Sequence, residues 1–117
     1  MIYDLCFAWN WKYDADFAVL LDAACQARDV SIFQVTPANL DATLQALNAG
    51  ELQFRAYFDR ASDNDERFLP LVASAQQQAA FYINPYKLAR QAANKAFYHY
   101  QLIHAGMYTP YTIILPA

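Results

Sequence analysis

Apolar residues along this chain fall into short unbroken runs and longer runs with a helical period, and the two kinds alternate. Residues 2–9 (IYDLCFAW) are apolar and aromatic and short enough for a strand buried in a core. After the polar and aromatic stretch NWKYDAD, the positions Phe17, Leu20, Leu21, Ala24 and the stem of Arg28 recur at the 3.6-residue spacing of a helix, with Asp14 or Asp16 placed to cap it. Residues 30–35 are β-branched and aromatic, which predicts a second strand. Thr36 then offers an N-cap and Pro37 a first helical residue for a helix striped by Leu40, Leu44 and Leu47 and ended by Gly50. Over residues 51–60 the period changes to two. Leu52, Phe54, Ala56 and Phe58 alternate with Gln53, Arg55, Tyr57 and Asp59, the pattern of a half-buried strand suited to the edge of a sheet.

The stretch SDNDE places Ser62 three residues before Asp65 and Asp63 three before Glu66, both resembling a capping box ahead of a helix carrying Phe68, Leu69, Leu71, Val72 and Ala75. Residues 79–83 read as a short strand, residues 85–105 as a long helix stopped by Gly106, and residues 111–115 as a closing strand. Strands alternating with helices predict an α/β fold: an open, mostly parallel sheet flanked by helices on both faces, joined by right-handed crossovers. Ligands of such sheets gather outside the carboxyl ends of the strands, here residues 9–16, 36–39, 60–65 and 84–86.

The composition agrees with one packed domain over residues 1–117, since 57% of the residues are hydrophobic and 16% charged, with no Gly/Ser-rich or Pro-rich tract to act as a linker. A net charge of -3 with eight scattered Lys and Arg lacks the basic cluster that releases counterions from a nucleic-acid backbone, so no nucleic-acid partner is expected. Cys6 and Cys25 stand in apolar surroundings without a Cys-x-x-Cys spacing and read as packed thiols in a reducing compartment. The amino terminus has an acid at Asp4, no basic leader and an apolar run far short of the roughly 20 residues of a membrane span, which predicts a cytoplasmic protein without a membrane partner.

Two glycines cannot supply a G-x-G-x-x-G turn or a P-loop, so any nucleotide must be held by other means. The loop after the first strand packs Trp9, Asn10, Trp11, Lys12 and Tyr13 where many α/β domains have a small turn. Its rings can clasp a small ligand, close the end of the sheet, or dock on a further domain. On the last helix Lys95 emerges beside Leu88, His99 and Leu102, and by periodicity alone it reads as a lysine snorkelling along a helix flank. His99 has no acid three or four residues away to orient it as a base.

The string NPYKLARQAANKAFYHYQLIHAGMYTPYTIILP resembles the junction in ATP-grasp ligases, relatives of glutathione synthetase and the ribosomal-protein modification ligases, where the small pre-ATP-grasp domain hands over to the nucleotide-binding domain. Asn94, Lys95, Leu102, Ala105, Gly106, Pro110 and Thr112 stand in the family's order. The chain departs from the pattern in Asn94, where Asp is common, and in Tyr111 between Pro110 and Thr112.

The resemblance implies a Rossmann-like fold without a Gly-rich loop, forming the N-terminal piece of a longer enzyme. It implies that Lys95 reaches toward the phosphates of ATP, a role suited to a point cation on a flexible stem. Most of the contacts to ATP and Mg²⁺ would come from a C-terminal ATP-grasp domain beyond this chain. By the same analogy a small-molecule or peptide carboxylate would lie against Asn10, Lys12, Tyr13, Asp59, Arg60 and Asn84, and the piece alone would be inactive.

Two other readings stay open. One is a free-standing α/β binding or regulatory module, although the first strand ends in Ala8-Trp9-Asn10 without the acidic pair of a phospho-receiver, and NWKYDAD is not the phosphate loop of a flavin-binding domain. The other is a homodimer built on Tyr108, Tyr111 and Ile113.

Overall fold

Among the described residues four strands form one sheet and all run in one direction, in the order β2-β1-β3-β4. In chain order they are β1 (Ile2–Trp9), β2 (Ile32–Val35), β3 (Gln53–Arg60) and β4 (Phe81–Ile83), joined through the helices α1 (Ala15–Ala27), α2 (Leu40–Asn48) and α3 (Leu69–Gln78). The computed structural model describes residues 1–79, 81–86 and 95–106. The chain divides into two compact units, Met1–Tyr86 and Lys87–Ala117.

In the first unit Leu5, Cys6, Phe7 and Ala8 are all buried, as a parallel strand requires when both its faces are covered. Cys6 and Ala8 join Val35, Tyr57, Leu40, Phe68, Leu71, Val72 and Ala75 in the core beneath α2 and α3. Phe7 turns to the other face, where its ring meets Phe58 at 5.0 Å and Phe17 of α1 at 5.7 Å. The sheet is therefore flanked on both sides, as the alternation of elements predicts.

Five local expectations change. Of the expected core face of α1, Phe17 meets the Phe7 and Phe58 rings, but the fully buried positions are Ala18 and Cys25, while Val19 and Leu20 are each 69% exposed. Apolar residues surround this helix, so periodicity cannot choose its face. Asp14 precedes α1 but makes no capping bond, because its carboxylate is held by Arg60.

Thr36 and Pro37 do not start α2. They form a turn in which Asn39 reaches back, its side chain accepting from the Thr36 N–H at 2.9 Å and donating to the Gln34 carbonyl at 2.9 Å, and the helix begins at Leu40. Strand β3 is internal rather than an edge, pairing with β1 and β4, and its Tyr57 and Asp59 are 1% and 3% exposed. Of the set expected to face solvent, Tyr57 and Asp59 are buried at the carboxyl-terminal half of the strand, while Gln53 and Arg55 stay exposed. Ser62 is not an N-cap either; its hydroxyl turns back to Asp59, and the cap of the 3₁₀ turn Glu66–Phe68 is Asp65, which accepts from the Arg67 N–H at 3.0 Å.

In the second unit, α4 (Lys95–His104) is described as helix, and Gly106 ends it at φ 77°, with its N–H donating to the Ile103 carbonyl. Glycine is the residue that enters this left-handed region without strain. The expected strand over residues 111–115, the pairing residues Tyr108, Tyr111 and Ile113, and the side chains of Lys95 and His99 lie outside the described residues. Among the described residues, no helix is long and apolar enough to cross a membrane.

Candidate functional site

Strand β1 lies between β2 and β3, so the chain leaves its carboxyl end toward one neighbour and later returns on its other side. Such a switch point leaves a crevice above the strands. Here it opens between the loop after β1 and the loop after β3. It has a larger lobe of about 580 Å³, lined by Asn10, Trp11, Arg60 and Asn64. A smaller lobe of about 140 Å³ shares Trp11, Arg60 and Asn64 and adds Asp14, Asp63 and Asn84.

Arg60, the last residue of β3, is the cation of the site among the described residues. Its Nη2 donates to Asp14 Oδ1 at 2.8 Å, and its guanidinium carbon lies 5.4 Å from the centre of the Phe17 ring. The ion pair is lopsided: the arginine side chain is 39% exposed and the aspartate 5%. The counter-ion thus sits behind the guanidinium and the positive edge faces the crevice. Arg60 Nε is buried and has no hydrogen-bond partner among the described residues.

Neighbouring bonds fix the walls. Asn10 Nδ2 donates to Asp65 Oδ2 at 2.7 Å, joining the β1 loop to the β3 loop. The Arg67 side chain grips both oxygens of Asp65, and these hydrogen bonds hold the Asp65 carboxyl below the usual aspartate range and raise the Arg67 guanidinium. Trp11 is 55% exposed, with its ring edge-on to Tyr13 at 4.9 Å, and Lys12 Nζ lies 4.9 Å from the centre of the Tyr13 ring. Trp9 is tied down separately, its Nε1–H donating to Gln34 Oε1 at 3.0 Å.

No family model, no curated protein and no solved structure matches the chain. What the site can bind follows from its own geometry.

Of the residues singled out in the sequence, Asn10 and Arg60 line the larger lobe and Arg60 and Asn84 the smaller. Asp59 does not reach the crevice: it is buried, and its carboxylate accepts from the N–H groups of Ala61 and Ser62 and the Ser62 hydroxyl. Its carbonyl accepts from Asn84 Nδ2 at 2.7 Å, so Asp59 shapes the floor. Lys12 and Tyr13 stand outside both lobes and support Trp11. The backbone of Lys95 belongs to α4 in the second unit. Sequence reasoning assigned no site role to Asp14, Asp63, Asn64 or Trp11 individually. The aromatic loop pointed toward Trp11, but nothing in the periodicity marks an aspartate 46 residues from its arginine.

Among the described residues no three His, Cys, Asp or Glu side chains stand close enough to hold a metal ion.

Proposed function

We propose that this chain is the substrate-side domain of an ATP-grasp ligase that joins a carboxylate to an amine, or to a thiol, through an acyl phosphate. The observation that carries the reading is Arg60, a cation at the switch-point crevice with its counter-ion buried behind it. A carboxylate entering the larger lobe meets the guanidinium edge and the amides of Asn10 and Asn64, and among the described residues no acid lines that lobe. Charge-assisted bonds from arginine are strong and directional, so they set the orientation of the group to be activated. ATP with Mg²⁺ supplies the phosphoryl group, held mainly by residues beyond this chain. The order Asn94-Lys95, Ala105-Gly106 and Pro110 supports the same reading from the sequence side.

Holding a carboxylate in place is the task this domain contributes; alignment of reactants accounts for much of the rate such ligases gain. The deciding experiment begins with the intact mass of the native gene product. A mass well above 13.3 kDa is expected, together with Mg-ATP-dependent phosphate release that needs a carboxylate and is abolished by Lys95→Met. A native mass of 13.3 kDa and no release with any carboxylate would sink the ligase reading and leave a binding module without catalysis.

A further inference from the structure

We infer that the larger lobe of the crevice takes a small organic anion with a planar apolar body, its charged end on Arg60 and its plane against Trp11. This rests on reading the crevice as a ligand site and names the class of ligand.

Three features of the lobe lead there. Its charge is one-sided: among the described residues the lining is one guanidinium, two carboxamides and one indole, whereas the acids Asp63 and Asp14 line the smaller lobe, Asp14 buried and paired with the arginine. An anion is therefore favoured on the side of Asn10 and opposed on the side of Asp63. The guanidinium is held in position by Asp14 and by the Phe17 ring while its side chain stays 39% exposed, so it presents donors already oriented.

Trp11 is the second feature. An indole that is more than half exposed loses contact with water when a flat apolar group covers it, and stacking adds to the gain. The Tyr13 ring contacts it edge-on at 4.9 Å and Lys12 Nζ lies over the Tyr13 ring, contacts that reduce the freedom Trp11 loses on binding. The third feature is size, since about 580 Å³ falls in the range of small-molecule sites and exceeds what a bare inorganic anion needs.

The test uses the full chain labelled with ¹⁵N, benzoate as the probe, benzamide as its neutral counterpart and acetate as its counterpart without the ring. Benzoate is expected to move the Trp11 indole N–H signal saturably and to leave that of Trp9, which is bonded to Gln34, nearly still. Benzamide and acetate bind several-fold more weakly. Trp11→Leu lowers benzoate affinity by roughly two- to tenfold and leaves acetate unchanged. Arg60→Lys, which retains a cation for Asp14 and so guards the fold, also weakens benzoate, because an ammonium lacks the planar fork.

Equal binding of acetate and benzoate, or a Trp11→Leu variant that binds benzoate as the parent does, overturns the planar requirement. Benzamide matching benzoate, or no saturation by benzoate, overturns the anion site. None of these readouts uses ATP. Benzoate binding in a protein without ligase turnover removes the ligase reading alone, and turnover without these preferences removes this inference alone.

Discussion

Asp59 and Ser62 close the turn after β3 on each other: the Ser62 hydroxyl donates to Asp59 Oδ2, while its N–H donates to Asp59 Oδ1 at 3.0 Å. With the Ala61 N–H also bonded to Oδ1 at 2.9 Å, one buried carboxylate satisfies three donors. Replacing it with Ala strands two buried N–H groups, each costing about 1–3 kcal/mol. Asp59→Ala is expected to lose about 2–4 kcal/mol in urea unfolding with an unchanged slope. Asp59→Asn, which still accepts, loses less.

Asn84 holds a left-handed backbone, φ 61°, and donates its side-chain amide to the Asp59 carbonyl at 2.7 Å. The two roles separate by substitution. Asn84→Gly keeps the backbone and loses the bond, for about 0.5–1.5 kcal/mol. Asn84→Ala loses the bond and keeps a Cβ in the left-handed region without the side-chain amide that lets Asn occupy it, for about 1–2 kcal/mol more than the Gly variant. Equal losses for the two variants, read from chemical denaturation, would refute the backbone part.

Leu20 and Leu71 are both leucines at helical core spacing in the sequence, yet Leu20 is exposed on α1 and Leu71 is fully buried beneath the sheet. Leu71→Ala is expected to cost about 2–5 kcal/mol through the cavity it leaves. Leu20→Ala should fall within about 0.5 kcal/mol of the parent. A loss at Leu20 as large as that at Leu71 would place the core face of α1 where its periodicity predicts.

Acid and base act on different groups. Hydrogen bonds from Ser31 and Arg55 hold the Asp4 carboxyl below its ordinary value, and bonds from Arg67 do the same for Asp65. The unfolded chain therefore takes up protons first as pH falls, so this stability is present above about pH 4 and is lost progressively below it. Unfolding midpoints from pH 6 down to 2 should show the fall, and Asp65→Asn should make it shallower.

Burial pushes the Cys6 thiol and the Tyr57 hydroxyl upward, with the Asp59 charge adding to each. Here the unfolded chain gives up protons first as pH rises, so stability is full below about pH 8.5 and declines above it, more steeply past about pH 10. Both cysteines are free and buried. A thiol reagent at pH 8 should leave Cys6 unmodified in the native chain and label two thiols after denaturation; fast native labelling of Cys6 would contradict its burial.

The sequence by itself determined the class of fold. The apolar run at residues 2–9 and the β-branched and aromatic residues 30–35 read as short strands, and the helical periods between them imply crossovers to parallel neighbours. It also located the ends where a ligand gathers, because carboxyl ends follow from strand order along the chain. The face of α1, the internal place of β3 and the composition of the crevice were decided by the tertiary structure alone. Alternation in β3 records which side chains point together but not what covers them, so Asp59 and Tyr57 read as solvent-facing and are buried. Likewise the pairing of Asp14 with Arg60, and the half-exposed Trp11 beside them, exist only once loops distant in sequence meet above the sheet.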